Sequence, residues 1–272
     1  MSILKNRRNL SRYEYERSFD IAYKHIVKCM NATPNRLKRW INVPINKKLN
    51  ETYMNIMELR TNYFPKETIK RSTYEILNSS IDGILGLQLH FYSYWNVMGY
   101  NDRKKAHWCD LFNHDLALLR GLLYKNPLYN SCNNEMEHKI VYYKTEDIKN
   151  AKFLSNMSKL HNYTHRKIAH AKLIYADREC AMISDLINYA WFYSLEANRK
   201  IPKTKKEYEY RKSCISNAIS CMKKLQIPLV SLFNLMEYSE NILHEWSSLF
   251  SATLKNLYGI RKSDNERFSK LK

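Results

Sequence analysis

The sequence predicts an all-α protein made of two tandem up-and-down four-helix bundles. Three observations support this: turn-forming residues are scarce, one apolar motif occurs in both halves, and the two halves carry equal charge. The chain has 272 residues but only 5 Gly and 6 Pro, about 4% of the chain where average usage is about 12%. We therefore expect neither a turn-rich β-sandwich nor a fold built on glycine loops.

The composition is that of a folded protein. Hydrophobic residues make up 44% of the chain and aromatic residues 13%, which is too much buriable surface for a disordered segment. The N-terminal residues lack the apolar run of a signal peptide. The most apolar stretch, 81–100, is interrupted by Asp82, Gln88, His90 and Asn96, which a membrane-spanning helix tolerates poorly. We expect a cytoplasmic protein with no membrane segment.

A motif of five apolar residues occurs twice, 138 residues apart: Trp108, Leu111, Phe112, Leu116 and Leu119, then Trp246, Leu249, Phe250, Leu254 and Leu257. On a helix that turns about 100° per residue, these spacings place all five side chains within one stripe. Each copy is therefore predicted to be the buried face of the last helix of a bundle.

In the first half, four helices are predicted at about 11–31, 35–63, 65–97 and 102–124. Ser11 is the expected N-cap of the first helix, with Glu14 at the capping-box position. Pro44 is expected to kink the second helix because it removes a backbone donor. Pro65 opens the third helix, and Asn101 or Asp102 caps the fourth.

In the second half, helices are predicted at about 146–162, 165–199, 203–238 and 241–258, with Pro228 interrupting the third. Residues 1–128 and residues 151–272 each contain 21 Lys and Arg and 11 Asp and Glu, so the division of charge matches the division into bundles. The predicted domains are a first bundle at 1–128, a linker at 129–145, and a second bundle with a basic C-terminal tail at 146–272.

Four segments resemble one known family. Lys203–Arg211 is similar to a helix-opening TK-x-x-Y-E-x-R segment, and Trp246 with Arg261–Asp264 is similar to a terminal helix and its tail. Lys5–Arg8 and Arg36-x-x-Arg39-Trp40 are similar to a basic N-terminus and the entry to a second helix. On these residues the chain resembles the four-helix-bundle accessory variability determinant family of diversity-generating retroelements, here as a tandem duplication.

The resemblance implies a non-enzymatic accessory protein of a bacterial or phage retroelement, without a cofactor. Members of the family form a basic, barrel-like pentamer that binds a reverse transcriptase and nucleic acid. The implied partners are therefore a reverse transcriptase and its RNA or cDNA, together with other copies of the chain. The family member usually has one bundle, so two fused copies leave open either a homo-oligomer or an assembly of bundles within one chain.

The net charge of +19 also favours a nucleic-acid partner, because phosphates pair with basic groups and release counterions. The alternative for any single lysine is a solvated surface position. The residues predicted to bind nucleic acid cluster near helix ends and are Lys5, Arg7, Arg8, Arg12, Arg36, Lys38, Arg39, Lys66, Lys70, Arg71, Lys203, Lys205, Lys206, Arg211, Arg261 and Lys262. Four tyrosines between charged residues either stack on bases or pack in the bundles: Tyr13, Tyr15, Tyr208 and Tyr210.

Two other functions remain open. Arg103-x3-His107 and Arg166-x3-His170 resemble the Arg-x4–6-His motif of helical ribonucleases of the HEPN type, with one residue too few. The second alternative is a structural assembly module that binds only protein. No metal site is expected, because no cysteine or carboxylate of suitable spacing completes the cluster of His161, His165 and His170.

Overall fold

The computed structural model describes residues 14–62, 71–123, 138–171 and 173–271, and these residues form an all-α protein with nine helices and no strand. The helices are α1 (Glu14–Asn31), α2 (Asn35–Asn62), α3 (Arg71–Val97), α4 (Asp102–Leu123), α5 (Thr145–Asn150), α6 (Lys152–Ile168), α7 (Leu173–Ala197), α8 (Lys205–Met236) and α9 (Glu240–Phe268). Among the helices so described, none has an apolar stretch long enough to cross a membrane. The predicted all-α class is confirmed.

The described residues fall into two compact units. Unit 1 lies within Met1–Thr33, Asn42–Gln88 and Arg103–Tyr142, and unit 2 lies within Pro34–Ile41, Leu89–Asp102 and Tyr143–Lys272. Unit 2 thus includes two segments, 34–41 and 89–102, that the sequence places in the first bundle. Hydrogen bonds within unit 2 explain this, because the carbonyls of Trp40 and Tyr92 accept from side chains of α7. The predicted linker 129–145 lies mostly outside the described residues.

Unit 1 is built around the apolar face of α1, whose buried residues are Tyr15, Phe19, Ala22, Ile26 and Met30. The Phe19 ring contacts Phe112 of α4 and Tyr53 of α2, with centroid distances of 6.1 and 6.3 Å. Gly83 of α3 lies against Thr52 of α2, and a Cβ at this glycine would come within 2.5 Å of the Thr52 hydroxyl oxygen. The missing side chain therefore allows these two helices to approach closely.

Unit 2 contains a closed arrangement of four helices. Helix α6 contacts α7 and α9, and α8 also contacts α7 and α9. The core of this ring contains large apolar side chains, for example Leu160, Ile187, Met222 and Trp246, all at most 1% exposed. This arrangement agrees with the four-helix organisation predicted for the second half, while the pairing of two tandem bundles stays a prediction.

Two predicted helix boundaries in the second half are wrong. The junction expected near 163–164 does not exist, since α6 continues to Ile168. Its residues Thr164 and His165 are fully buried and bond to side chains of α9 and α7. The last helix ends at Phe268 rather than near 258, because Asp264 and Phe268 are buried against α8 and extend the packed face by about three turns.

Pro228 does not interrupt α8, which is helical from Lys205 to Met236. A proline inside a helix costs about 3 kcal/mol relative to alanine. Here the cost is offset by core packing on both sides, since Leu225, Leu229 and Leu232 are all buried. Helix α2 likewise continues through Pro44.

The repeated motif has a similar burial pattern in both copies and differs at the fourth position, where Leu116 is buried and Leu254 is half-buried. Trp108 and Trp246 are 1% and 0% exposed. The phenylalanines and the last leucines are also buried, whereas the first leucine of each copy, Leu111 or Leu249, is only half-buried. The prediction that each motif is the core face of a helix is confirmed.

A buried histidine network lies in unit 2, between α6 and α7. The Nε2 atoms of His161 and His165 lie 3.0 and 2.8 Å from the same Asn188 Oδ1. Since this amide oxygen only accepts, both Nε2 atoms donate. His161 Nδ1 then accepts from Asn96 Nδ2 at 3.1 Å, and both imidazoles are neutral. Burial lowers the pKa of His165 to about 4 and the pKa of His161 well below its usual value.

Among the described residues of unit 1, one carboxyl group is buried, and its pKa is raised rather than lowered. Asp115 is 1% exposed and accepts a hydrogen bond from Ser18 Oγ. Burial disfavours the charged form and raises the pKa of Asp115 to about 7, against a weaker opposing effect of the hydrogen bond. A carboxyl group of this kind prefers to stay protonated in the folded protein.

We expect Trp108→Ala and Trp246→Ala each to lower the free energy of unfolding by about 3–5 kcal/mol, the usual cost of removing a large aromatic side chain from a core. In Trp246→Ala the buried Thr164 hydroxyl also loses the indole NH, now 3.0 Å away. Chemical denaturation measures the change. Unaltered unfolding of both variants would contradict the assignment of the motif to the core.

The two buried groups predict opposite pH dependence. The lowered pKa values of the histidines mean that unit 2 loses stability as pH falls from about 6.5 towards 4, because the unfolded chain binds more protons there. The raised pKa of Asp115 means that unit 1 loses stability as pH rises from about 4 to 7. Hydrogen exchange, corrected for intrinsic rates, should show weaker protection of α6 at pH 5 than at pH 7.

The non-titrating variants His165→Gln and Asp115→Asn are the controls. His165→Gln should reduce the pH dependence of protection in α6 and leave that in α4. Asp115→Asn should have the reverse effect. Equal protection of α6 at both pH values in the wild type would contradict a neutral, buried histidine pair.

Candidate nucleic-acid interface

The first turn of α8 is fixed by a reciprocal cap. Thr204 is the N-cap residue, and its side chain accepts from the backbone NH of Glu207 at 3.3 Å. Glu207 reaches back and accepts from the backbone NH of Lys203 at 2.8 Å, and also pairs with Lys200. These bonds satisfy backbone donors at the helix start. They fix where the chain after α7 turns into α8.

One arginine joins three helix ends in unit 2. Arg211 of α8 forms an ion pair with Asp264 of α9, with 2.5 Å between Nε and Oδ2, and it also donates to the Ala197 carbonyl at the end of α7. The side chains of the pair are only 14% and 6% exposed. One turn away, the Tyr208 hydroxyl donates to Asn265 Oδ1 at 2.6 Å. The two segments that carry the family resemblance in this half therefore contact each other.

This geometry changes the interpretation of Arg211. The sequence predicts that it binds nucleic acid, but the side chain is mostly buried and its Nε, Nη1 and Nη2 atoms are already hydrogen-bonded to Asp264 and Ala197. A phosphate would have to displace a buried carboxylate. We therefore assign Arg211 a structural role and leave it out of the interface.

The paired helices α8 and α9 present a surface without acidic residues. Residues 210–236 and 246–263 contain seven Lys and Arg and no Asp or Glu. The exposed side chains in these stretches include many hydroxyl and amide groups beside the lysines: Ser213, Ser216, Asn217, Ser220, Lys223, Lys224, Ser247, Ser248, Ser251, Lys255 and Lys262. We call this surface the α8–α9 face.

Tyr258 lies where the two helices of this face meet. Arg261 Cζ is 4.9 Å from the centre of its ring, and Lys223 Nζ from α8 is 5.8 Å away. Both distances are within the usual range of cation–π contacts. Tyr258 and Arg261 are half-buried, whereas Lys223 is exposed. The face thus has a basic aromatic centre.

The predicted basic residues of unit 2 do not form one cluster. Lys203, Lys205 and Lys206 are exposed near the start of α8, at the end of the bundle where α9 finishes. Arg36, Lys38 and Arg39 lie near the start of α7, where Arg36 approaches His170 and Arg39 pairs with Asp177. Twenty residues of α7 separate Asp177 from Ala197, a span of about 30 Å. The structure therefore separates these two groups.

Several predicted residues are not placed by the structure. Lys5, Arg7, Arg8, Arg12, Lys66 and Lys70 lie outside the described residues, as does the side chain of Arg71. Arg261 and Lys262 are placed on the α8–α9 face. Of the four tyrosines, Tyr15 and Tyr208 are buried, Tyr210 is exposed with its hydroxyl bonded to Glu196, and Tyr13 lies outside the described residues.

Sequence reasoning missed Lys223, Lys224, Lys255 and Tyr258. The signal that would have found them is the absence of Asp and Glu over two long helical stretches, which is visible in the sequence. The clusters near helix ends are easier to recognise in the sequence because their lysines are adjacent. Single lysines one or two turns apart on neighbouring helices form a surface only once the helices are paired.

The histidines of the two ribonuclease-like motifs have other neighbours. His107 packs edge-on against His25 in unit 1, with 4.6 Å between ring centres. In unit 2, His170 Nε2 is 3.4 Å from Arg36 Nη1. His161 and His165 belong to the buried network around Asn188. Within the part of the chain that the structure describes, no group of three or more His, Cys, Asp or Glu side chains is arranged to hold a metal ion.

Comparisons with family models, curated proteins and solved structures gave no match to this chain.

We expect Asp264→Asn to lower the free energy of unfolding by about 3 kcal/mol, because it leaves the buried Arg211 charge without its counter-ion. Chemical denaturation measures this change. The matched control is Glu209→Gln, which removes a carboxylate from an exposed i,i+3 pair with Lys212 and should change stability by no more than about 0.5 kcal/mol. A decrease in Asp264→Asn no larger than in the control would contradict the structural role of Arg211.

Proposed function

We propose that this chain is a non-enzymatic accessory protein that binds the RNA or cDNA of a retroelement reverse transcriptase, as well as the polymerase itself. The observation that carries the nucleic-acid part is the α8–α9 face. A surface of lysine, serine and asparagine that has no carboxylate within 210–236 or 246–263 attracts a polyanion. The polymerase as partner is supported by the family resemblance alone.

The chemistry of the face suits contact with a phosphate backbone. Lysine ammonium groups pair with phosphates, and hydroxyl and amide side chains donate hydrogen bonds to phosphate oxygens. Such contacts position a strand without reading its sequence. We therefore propose binding that depends on salt and discriminates little between sequences.

The start of α8 supports the same proposal. Lys205 and Lys206 occupy the first turn of this helix, where positive charge interacts unfavourably with the helix dipole. Both side chains are exposed. Cations placed against the dipole raise the local positive potential, and these lysines form a second basic group that Glu207 and Glu209 separate from the α8–α9 face.

The test is a titration of a mixed-sequence single-stranded RNA at several salt concentrations. The triple variant Lys223→Gln, Lys224→Gln, Lys255→Gln should bind more weakly than the wild type. If all three lysines bind phosphates, the slope of log K against log salt should fall by about two units, because each phosphate neutralised on a single strand accounts for about 0.7. The fold should be unchanged, because exposed substitutions usually cost little.

The control variant Lys144→Gln, Lys149→Gln, Lys152→Gln removes the same charge from exposed positions around α5, beside Glu146 and Asp147. It should bind nearly as the wild type does. If both triple variants lose affinity equally, RNA affinity depends on the net charge of the chain and not on the α8–α9 face. If the wild type binds a reverse transcriptase but no RNA, the chain is a structural module. If the wild type cleaves RNA and His107→Ala or His170→Ala abolishes the cleavage, the chain is a ribonuclease.

A further inference from the structure

Tyr258 combines features that a purely structural tyrosine does not need. Its ring is approached by two cations from two helices, Lys223 and Arg261. Among the described residues, no carboxylate forms an ion pair with either cation. The nearest acidic residue along α9 is Asp264, which is held by Arg211. Two cations beside one aromatic ring can thus accept a negative partner.

Gly259, the next residue, is a second and independent observation. It lies inside α9, where glycine costs about 1 kcal/mol relative to alanine. A Cβ at this position would meet no atom of the described residues within 4 Å, so no packing against this part of the chain requires glycine. The residue is exposed. Its effect is to leave helix backbone uncovered beside Tyr258, which allows close approach from outside.

We propose that Tyr258 stacks on an unpaired base of a single-stranded nucleic acid, while Lys223 and Arg261 bind the adjacent phosphates. This inference rests on the proposed function and names its ligand more closely. A single strand offers a planar base and a negative phosphate within one nucleotide, which matches an aromatic ring flanked by cations. In a duplex, neighbouring base pairs cover the faces of each base. An isolated anion would bind the cations without stacking on the aromatic ring.

The approach of a base is compatible with the present contacts. Lys223 is exposed and its ammonium lies 5.8 Å from the ring centre, near the outer limit of a cation–π contact, about 6 Å. The lysine is therefore free to leave the ring for a phosphate when a base takes its place. Arg261 is closer to the ring and half-buried, so it stays beside the tyrosine and keeps the positive charge there.

The test compares a single-stranded RNA with a duplex RNA of the same length, at one salt concentration. The wild type should bind the single strand more tightly. Tyr258→Leu should weaken single-strand binding about tenfold, in line with the removal of one stacked base, and leave duplex binding unchanged. Tyr258→Phe keeps the ring and should bind as the wild type does. An equal decrease in the Phe and Leu variants would overturn stacking.

Gly259→Leu separates binding from folding. Leucine is a better helix former than glycine, so the thermal unfolding temperature should stay the same or rise. The added side chain covers the backbone beside Tyr258, and single-strand affinity should fall. Unchanged affinity in Gly259→Leu together with unchanged affinity in Tyr258→Leu would overturn the inference.

Photo-crosslinking of the folded wild type needs no variant. A single-stranded RNA that contains 5-iodouracil should crosslink to Tyr258, identified by mass spectrometry. Crosslinks only at other residues would overturn the inference. If the wild type binds single strand and duplex equally in a salt-dependent way, the inference fails while the proposed function stands. If it binds neither, the proposed function fails as well.

Discussion

The ion pair between Arg211 and Asp264 is the interaction on which the basic surface of unit 2 depends. It is mostly buried, and the same guanidinium binds the carbonyl of Ala197, so it ties the end of α7, the start of α8 and the end of α9 together. A buried charge that loses its partner is strongly destabilising. The pair thereby restricts how α8 and α9 slide along each other, and this register is what brings Lys223 of one helix to Tyr258 of the other.

The core of unit 2 contains ionisable side chains in their neutral form, whereas its surface carries many cations. Inside, His161 and His165 are held neutral by burial and share one amide oxygen. Outside, lysines are left without acidic neighbours over most of α8 and α9. Repulsion among surface cations lowers the stability of a compact state, so the packed core around Trp246 must offset it. A polyanion bound to the face would remove this repulsion, which links binding to stability.

The sequence was sufficient to predict local features. Few Gly and Pro residues predict the all-α class, and the spacing of Trp108 and Trp246 with their neighbours predicts two buried helix faces. The sequence places the end of α6 too early because Asn162 and Thr164 are typical of helix junctions. In the structure, the buried hydrogen bond between Thr164 and Trp246 stabilises the helix beyond this point. A local pattern does not contain that partner, 82 residues away.

Non-local partners also explain the errors at the site. Arg211 has the sequence context of a surface cation, and only the position of Asp264 makes it structural. The segments 34–41 and 89–102 belong to unit 2 through bonds to α7 that no spacing rule provides. Conversely, Lys223 and Tyr258 have no distinctive sequence context and meet because α8 and α9 pair. The net charge predicts a polyanionic partner, which stays a prediction, and the α8–α9 face becomes visible only in the fold.

The most direct measurement is lysine reactivity along the chain with and without bound single-stranded RNA. Acetylation of the folded protein, followed by mass spectrometry, reports which ammonium groups a ligand covers. The account predicts protection of Lys223, Lys224, Lys255 and Lys262, with Lys144 and Lys149 unchanged. Uniform reactivity at the α8–α9 face in saturating RNA, or protection confined to unit 1, would contradict it.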